Sequence, residues 1–192
     1  LWMEKRHVIR KILTSAVFAC FVGCCFYTVT AVHAWFGQIW DPAQYQGLDA
    51  TAYLETTFPE DAAAIRWLNE HVTGDPVVLE ANGDSYSDYE RVSAMTGLPT
   101  VLGWYVHEWL WRGDTGALNE RAQEVEAIYT STNQEEVKKL LEKYRVRYIF
   151  VGAREREKYA ALNESMLQSL GNIVFSDEQS QTYVLQVAFS GQ

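Results

Sequence analysis

Residues 133–152, NQEEVKKLLEKYRVRYIFVG, set the fold class. Asn133 and Glu136 stand at the spacing of a capping box, with Asn where Ser or Thr is usual. Val137, Leu140, Leu141 and Tyr144 follow on one helical face. Tyr148-Ile149-Phe150-Val151 is then an apolar run of strand length, and Gly152 ends it.

The same alternation extends in both directions. Upstream, Pro59-Glu60-Asp61 is a helix start, with Pro early and acids near the positive end of the dipole. Ala62, Ile65, Leu68 and Val72 recur at helical spacing until Gly74-Asp75-Pro76. Val77-Val78-Leu79-Glu80-Ala81 reads as a buried strand, followed by the loop Asn82-Gly83-Asp84-Ser85. A helix is expected over 88–95, stopping near Gly97, then a second strand over 99–104. An aromatic stretch (Trp104, Tyr105, Trp109, Trp111) runs to Arg112-Gly113-Asp114, and 120–129 is helical. Downstream, 154–170 reads as one helix with Gly171-Asn172 as its stop. Ile173-Val174-Phe175 and Tyr183 to Val187 flank a polar turn and form a terminal hairpin. Strands alternating with helices predict an α/β fold. We expect a Rossmann-like, mainly parallel sheet with helices on both faces, and a C-terminal β-hairpin at one edge.

The N-terminal segment is of another kind. Ile12 to Phe36 contains no Lys, Arg, Asp or Glu, and roughly 20 helical residues cross a bilayer core. Lys5, Arg6, Arg10 and Lys11 precede it, while Trp35, Phe36 and Trp40 form an aromatic belt at its other end. The positive-inside rule makes the basic end cytoplasmic and exports everything after about residue 41. A signal peptide is the competing reading, because Val32-His33-Ala34 fits a small-residue cleavage rule. The apolar run is longer than an ordinary h-region, so a retained transmembrane helix is expected. The chain then divides into a basic flank and transmembrane helix (1–40), a connector (41–58) and an extracytoplasmic α/β domain (59–192). A chain opening on Leu1 is also expected to be the tail of a longer, multi-pass protein of the cell membrane.

Charge narrows the function classes. The chain has 16 basic and 25 acidic residues, and four of the basic ones lie before residue 12. The remainder is strongly acidic and has no basic stripe, which excludes nucleic acid as a partner. Cys20, Cys24 and Cys25 all sit in the apolar segment, so the domain has no disulfide framework or thiolate metal site. There they serve as small apolar packing residues.

Sites in open α/β sheets collect beyond the carboxyl ends of the strands. Three such ends are unusual: 80–86, 103–113 and 152–156. Together with Arg91 just beyond the first of them, they nominate Glu80, Ser85, Tyr86, Trp104, His107, Glu108, Trp111, Arg112, Glu155 and Arg156 as substrate-binding residues. Indole faces stack on sugars and Arg pairs with phosphate, so a sugar, a phosphate or a polar lipid headgroup would suit this rim. The same residues could equally be packed indoles and internal ion pairs. Glu80 could act as a general base, but a carboxylate bonded to loop amides is the better reading. His107-Glu108, with His71 or Asp84, matches no metal signature, and neither a metal nor a cofactor is expected. The chain contains no G-x-G-x-x-G, Walker loop or G-x-S-x-G. Ser85 has no evident histidine partner, which argues against a serine hydrolase. Asn163-Glu164-Ser165 matches a glycosylation pattern by chance, inside an expected helix.

Several pieces then stand in a specific order between Pro59 and Tyr159. They are Pro59-Glu60-Asp61 with Ala64 to Asn69, Glu80-Ala81 with Ser85-Tyr86-Ser87, and Arg91-Val92-Ser93 with Thr96 to Thr100. Gly103-Trp104, His107-Glu108 and Trp111-Arg112-Gly113 follow, then Ile128-Tyr129-Thr130, Leu140-Leu141, Tyr144-Arg145-Val146 and Tyr148 to Gly152. Glu155-Arg156 and Tyr159 complete the set. This pattern, over about half the chain, resembles the extracytoplasmic C-terminal tail of the YYY-type polytopic membrane proteins, a family of unknown function. Ala153 departs from it, where an apolar residue such as Leu is expected. The family is similar to GT-C glycosyltransferases, which use polyprenyl-phosphate sugar donors. The resemblance implies a tail domain that helps bind donor or glycan acceptor, while the catalytic carboxylate lies outside this fragment. Its partners would be the lipid bilayer and the remaining transmembrane part of the same protein. The alternative is a membrane-anchored, non-enzymatic binding or assembly module.

Overall fold

The computed structural model describes residues 2–37, 41 and 51–188, with side chains from Arg6 onward. Trp40 of the expected aromatic belt and most of the 41–58 connector lie outside the described residues. Two compact units result, Leu1–Ala50 and Thr51–Gln192.

The first unit is α1 (Trp2–Phe36). Within it, Arg6–Phe36 is long and apolar enough to cross a membrane, and none of it is buried by the protein. The helix is apolar all round rather than on one face, as a lipid-immersed helix must be. Two of its hydroxyls bond back to the helix's own carbonyls. Thr28 Oγ1 donates to the Cys24 carbonyl at 3.3 Å, and Thr30 Oγ1 to the carbonyls of Phe26 at 3.1 Å and Tyr27 at 3.0 Å. In hydrocarbon an unpaired hydroxyl would cost several kcal/mol, roughly, so this back-bonding suits such a medium. A signal sequence near an N-terminus can also be long and apolar enough to meet this criterion.

The second unit runs through α2 (Leu54–Thr57), α3 (Pro59–His71), β1 (Val77–Leu79), α4 (Arg91–Thr96), α5 (Tyr105–Arg112) and α6 (Thr115–Thr130). It continues with α7 (Gln134–Tyr144), β2 (Val146–Val151), α8 (Ala153–Lys158), α9 (Glu164–Gln168), β3 (Gly171–Ser176) and β4 (Tyr183–Val187). Leu54 and Phe58 are buried against α3, so the globular unit starts inside the expected connector, at Thr51.

The strands form a sheet in the order β1-β2-β4-β3. Side chains of β2 alternate between two cores, as a pleated strand requires. Ile149 and Val151 point toward α6, α7 and α9, where they meet Ile128, Tyr129, Leu141 and Leu167. Tyr148 and Phe150 point the other way, toward Leu54, Ile65, Leu68 and Val92 of α2, α3 and α4. Helices therefore cover both faces, and the α/β class and the terminal hairpin stand as expected. Tyr129 joins β1 and β2, because its hydroxyl donates toward the carbonyls of Phe150 at 2.9 Å and Leu79 at 3.2 Å.

Parallel pairing is smaller than the alternation suggested. β1 and β2 are parallel, but β4 pairs antiparallel with both β2 and β3, so the sheet is mixed. Residues 99–104 are not a strand. A single parallel bridge joins Thr100 to Val78, and Val101 and Leu102 bend into the core. Pro99 offers no amide donor, and Trp104 is already the N-cap of α5, which leaves too little chain for a ladder. The expected helix over 154–170 is broken in two. Tyr159 turns inward to stack on Tyr129 at 4.8 Å, and the Asn163 side chain accepts the Met166 amide to start α9. Asn163 is thus a helix cap. Gly171 opens β3 rather than closing a helix, and a Cβ there would collide with the Gln186 carbonyl.

Candidate functional site

The ends of β1 and β2 do gather the expected residues, but into two separate groups. The first group is buried. Arg91 pairs with Asp61 through Nε, and its Nη1 and Nη2 reach Glu155 Oε1 and Oε2 at 3.3 and 3.1 Å. Glu155 also accepts the amides of Ala81 at 3.0 Å and Gly152 at 2.9 Å, and Thr182 Oγ1 donates to Asp61 at 3.3 Å. Burial alone would lower the Arg91 pKa, but Glu155 and Asp61 outweigh it and hold the guanidinium above its ordinary value. Burial likewise pushes Glu155 up, yet Arg91 and the two amides bring it below the usual range. For Asp61 burial wins over Arg91 and the group is raised. One cation shared by two carboxylates cannot satisfy both equally, and Glu155 has the better donors.

Glu80 belongs to this inner layer. It is 2% exposed and accepts the amides of Val92 at 2.8 Å and Ser93 at 2.7 Å, so it caps the first turn of α4. The carboxylate is thus bonded to backbone amides as expected, but to those of a helix start rather than a loop, and it is closed off from solvent. Burial pushes its pKa up to about 7. Arg156 stands apart, paired with Glu164 at 2.8 Å and donating to the Gln181 carbonyl at 2.8 Å. Glu80, Arg91, Glu155 and Arg156 are thus held by the protein itself.

The second group is open. A groove of about 510 Å³ lies between α4 and α5, lined by Glu90, Ser93 and Ala94 on one side. Gly103, Trp104, His107, Glu108, Trp111 and Arg112 line the other. Helix geometry explains the second wall, because 104, 107, 108 and 111 share one face of α5 and its N-cap. Arg112 pairs with Glu108 one turn back, and its side chain is 53% exposed. Tyr86, Trp104 and His107 form an aromatic trio with centroids 5.0–5.5 Å apart. The Tyr86 hydroxyl lies 3.3 Å from His107 Nε2, and Trp104 Nε1 donates to the Tyr89 carbonyl at 2.9 Å. Ser85 Oγ accepts the His107 backbone amide at 3.3 Å, a bond to the main chain rather than to the imidazole. Among the described residues no cluster of His, Cys, Asp or Glu could hold a metal ion.

Two features of this groove were not legible in the sequence. Tyr86 and Glu90 both take left-handed backbone, at φ 62 and 58, which side chains other than glycine adopt at a cost. Glu90 is 5% exposed, and its Oε1 accepts the Gly83 amide at 2.7 Å. Its Oε2 is buried without a hydrogen-bond partner among the described residues. Burial raises its pKa to about 8. Asp61, read as a dipole acid at a helix start, is instead the buried partner of Arg91. A charged residue on the inward stripe, one position before Ala62, was the available signal.

No family model matches the chain, and no curated protein matches it. Among solved structures it is similar to the C-terminal globular domain of an oligosaccharyltransferase from Archaeoglobus fulgidus. The identity is 13% and the TM-score 0.42, over 67% of this chain and 97% of that chain.

Proposed function

We propose that the globular unit is a substrate-facing accessory domain of a GT-C-like membrane glycosyltransferase. In this reading the groove between α4 and α5 takes the sugar-phosphate part of a polyprenyl-linked donor, or a glycan acceptor. The observation that carries it is Trp111, 89% exposed, beside Arg112 on the wall of an otherwise well-packed domain. An indole face offers a stacking surface to a sugar ring, and a guanidinium pairs with phosphate oxygens in two-point geometry. Glu90, Ser93 and Glu108 provide hydroxyl partners around them. The apolar α1 and the sequence resemblance to YYY-type tails support a place at the extracytoplasmic membrane surface. The chemistry itself would belong to a carboxylate outside this fragment.

The test is binding of a short-chain polyprenyl-phosphate sugar to the full chain in detergent, followed by tryptophan fluorescence. A saturable change that Trp111→Ala and Arg112→Ala each weaken at least tenfold supports the reading. A folded protein that gives no saturable change, or variants that bind as the parent does, would refute it.

A further inference from the structure

Helix α5 has a second face that the groove does not use. Val106, Trp109 and Leu110 lie opposite Trp104, His107 and Trp111 around the helix axis. They are exposed at 38%, 44% and 67%. Among the described helices of the globular unit, α5 alone has no buried residue. A helix this short is marginal in water without an apolar face to pack, so its outer face calls for a covering partner.

We propose that this outer face of α5 docks on the lipid bilayer, with Trp109 and Leu110 at the headgroup–acyl boundary. Three observations single out lipid over another protein. The same chain carries the apolar span Arg6–Phe36. The stretch 38–50 between the units spans at most about 45 Å even when fully extended, so a retained span would keep the domain within tether reach of the bilayer. The residues are of the interfacial kind, an indole among aliphatic side chains with Arg112 at the helix end. The domain is acidic, so the docking is apolar and suits zwitterionic lipid. This inference stands independently of any ligand in the groove.

The experiment uses the full chain in phosphatidylcholine nanodiscs, with Cys20, Cys24 and Cys25 replaced by Ala so that one introduced cysteine carries a nitroxide. Leu110→Cys and Val106→Cys report on the outer face, and Glu142→Cys on exposed α7 serves as the aqueous reference. Docking predicts that nitroxides at 106 and 110 are relaxed several-fold more by oxygen than by a water-soluble nickel chelate, with the order reversed at 142. Equal nickel access at 110 and 142 overturns the proposal. So does spin–spin broadening at 110 without oxygen preference, which would show a second copy of the chain on this face.

Discussion

Arg91 and Glu155 face each other through two contacts of 3.1 and 3.3 Å, with side chains 2% and 0% exposed. This pair locks the start of α4 to the first turn of α8, and Asp61 ties α3 to the same guanidinium. Removing one partner of a buried pair strands an uncompensated charge, which costs roughly 3–5 kcal/mol. Arg91→Met is therefore expected to lower the urea midpoint of the globular unit sharply, because it strands both Asp61 and Glu155. A midpoint shift worth less than about 1 kcal/mol would mean that the two carboxylates are relieved by protonation or water.

Gly152 sits under this network. A Cβ there would stand 2.5 Å from Asp61 Oδ1, 3.0 Å from the Phe150 ring and 3.2 Å from Arg91 Nη2. Its φ of −131 is open to any residue, so the penalty is purely steric. Gly152→Ala should destabilise by about 1–3 kcal/mol, as overpacked sites do. Thermal melts of Gly152→Ala beside Gly116→Ala, whose nearest neighbour is the flexible Asp114 carboxylate at 3.2 Å on the surface, would separate this clash from a general loss of glycine.

Buried carboxylates make stability fall as pH rises. Burial raises Glu80 to about 7 and Glu90 to about 8, each from 4.5. A folded state that holds these protons more tightly than the unfolded chain is favoured at low pH, in full below about 4.5. That advantage is lost progressively as pH climbs through 7 and 8. The melting temperature is expected to drop between pH 5.5 and 9. Glu90 has the unpartnered oxygen, so Glu90→Gln should flatten the upper part of this profile. A parent profile that is flat across the window would show that both groups are already ionised at pH 5.5.

Helix α7 and strand β2 were legible because local pattern and tertiary role agree. Asn133 caps α7 by accepting the Glu136 amide, and Val137 and Leu141 enter the core as their spacing predicts. Residues 99–104 misled because Val101 and Leu102 are buried without being paired, and apolar content alone cannot tell a bent core segment from a strand. In sequence, α5 presents only an aromatic stretch, since a helix with no buried face lacks the usual one-sided signal. The candidate site divided for a similar reason. A charge beyond a strand end can face inward or outward, and the Arg91–Asp61 pairing that decides it spans α3 and α4.

The groove and the fold should also separate by mutation. Trp104 and Trp111 look equivalent in sequence, but only Trp104 holds the structure, through its bond to the Tyr89 carbonyl and its packing with Tyr86 and His107. Trp104→Ala is expected to cost about 1–3 kcal/mol, because a part-buried carbonyl loses its donor and the aromatic trio one of its rings. Trp111 is 89% exposed, and surface substitutions away from such contacts stay within about 0.5 kcal/mol. Urea melts of the two variants would measure this difference directly. Equal loss from both would place Trp111 in a folding role and remove the reason for its exposure on the groove wall. An unchanged midpoint for Trp111→Ala leaves that exposed ring unaccounted for by folding, and a tenfold or greater loss of sugar-phosphate binding in the same variant would then assign it to the ligand.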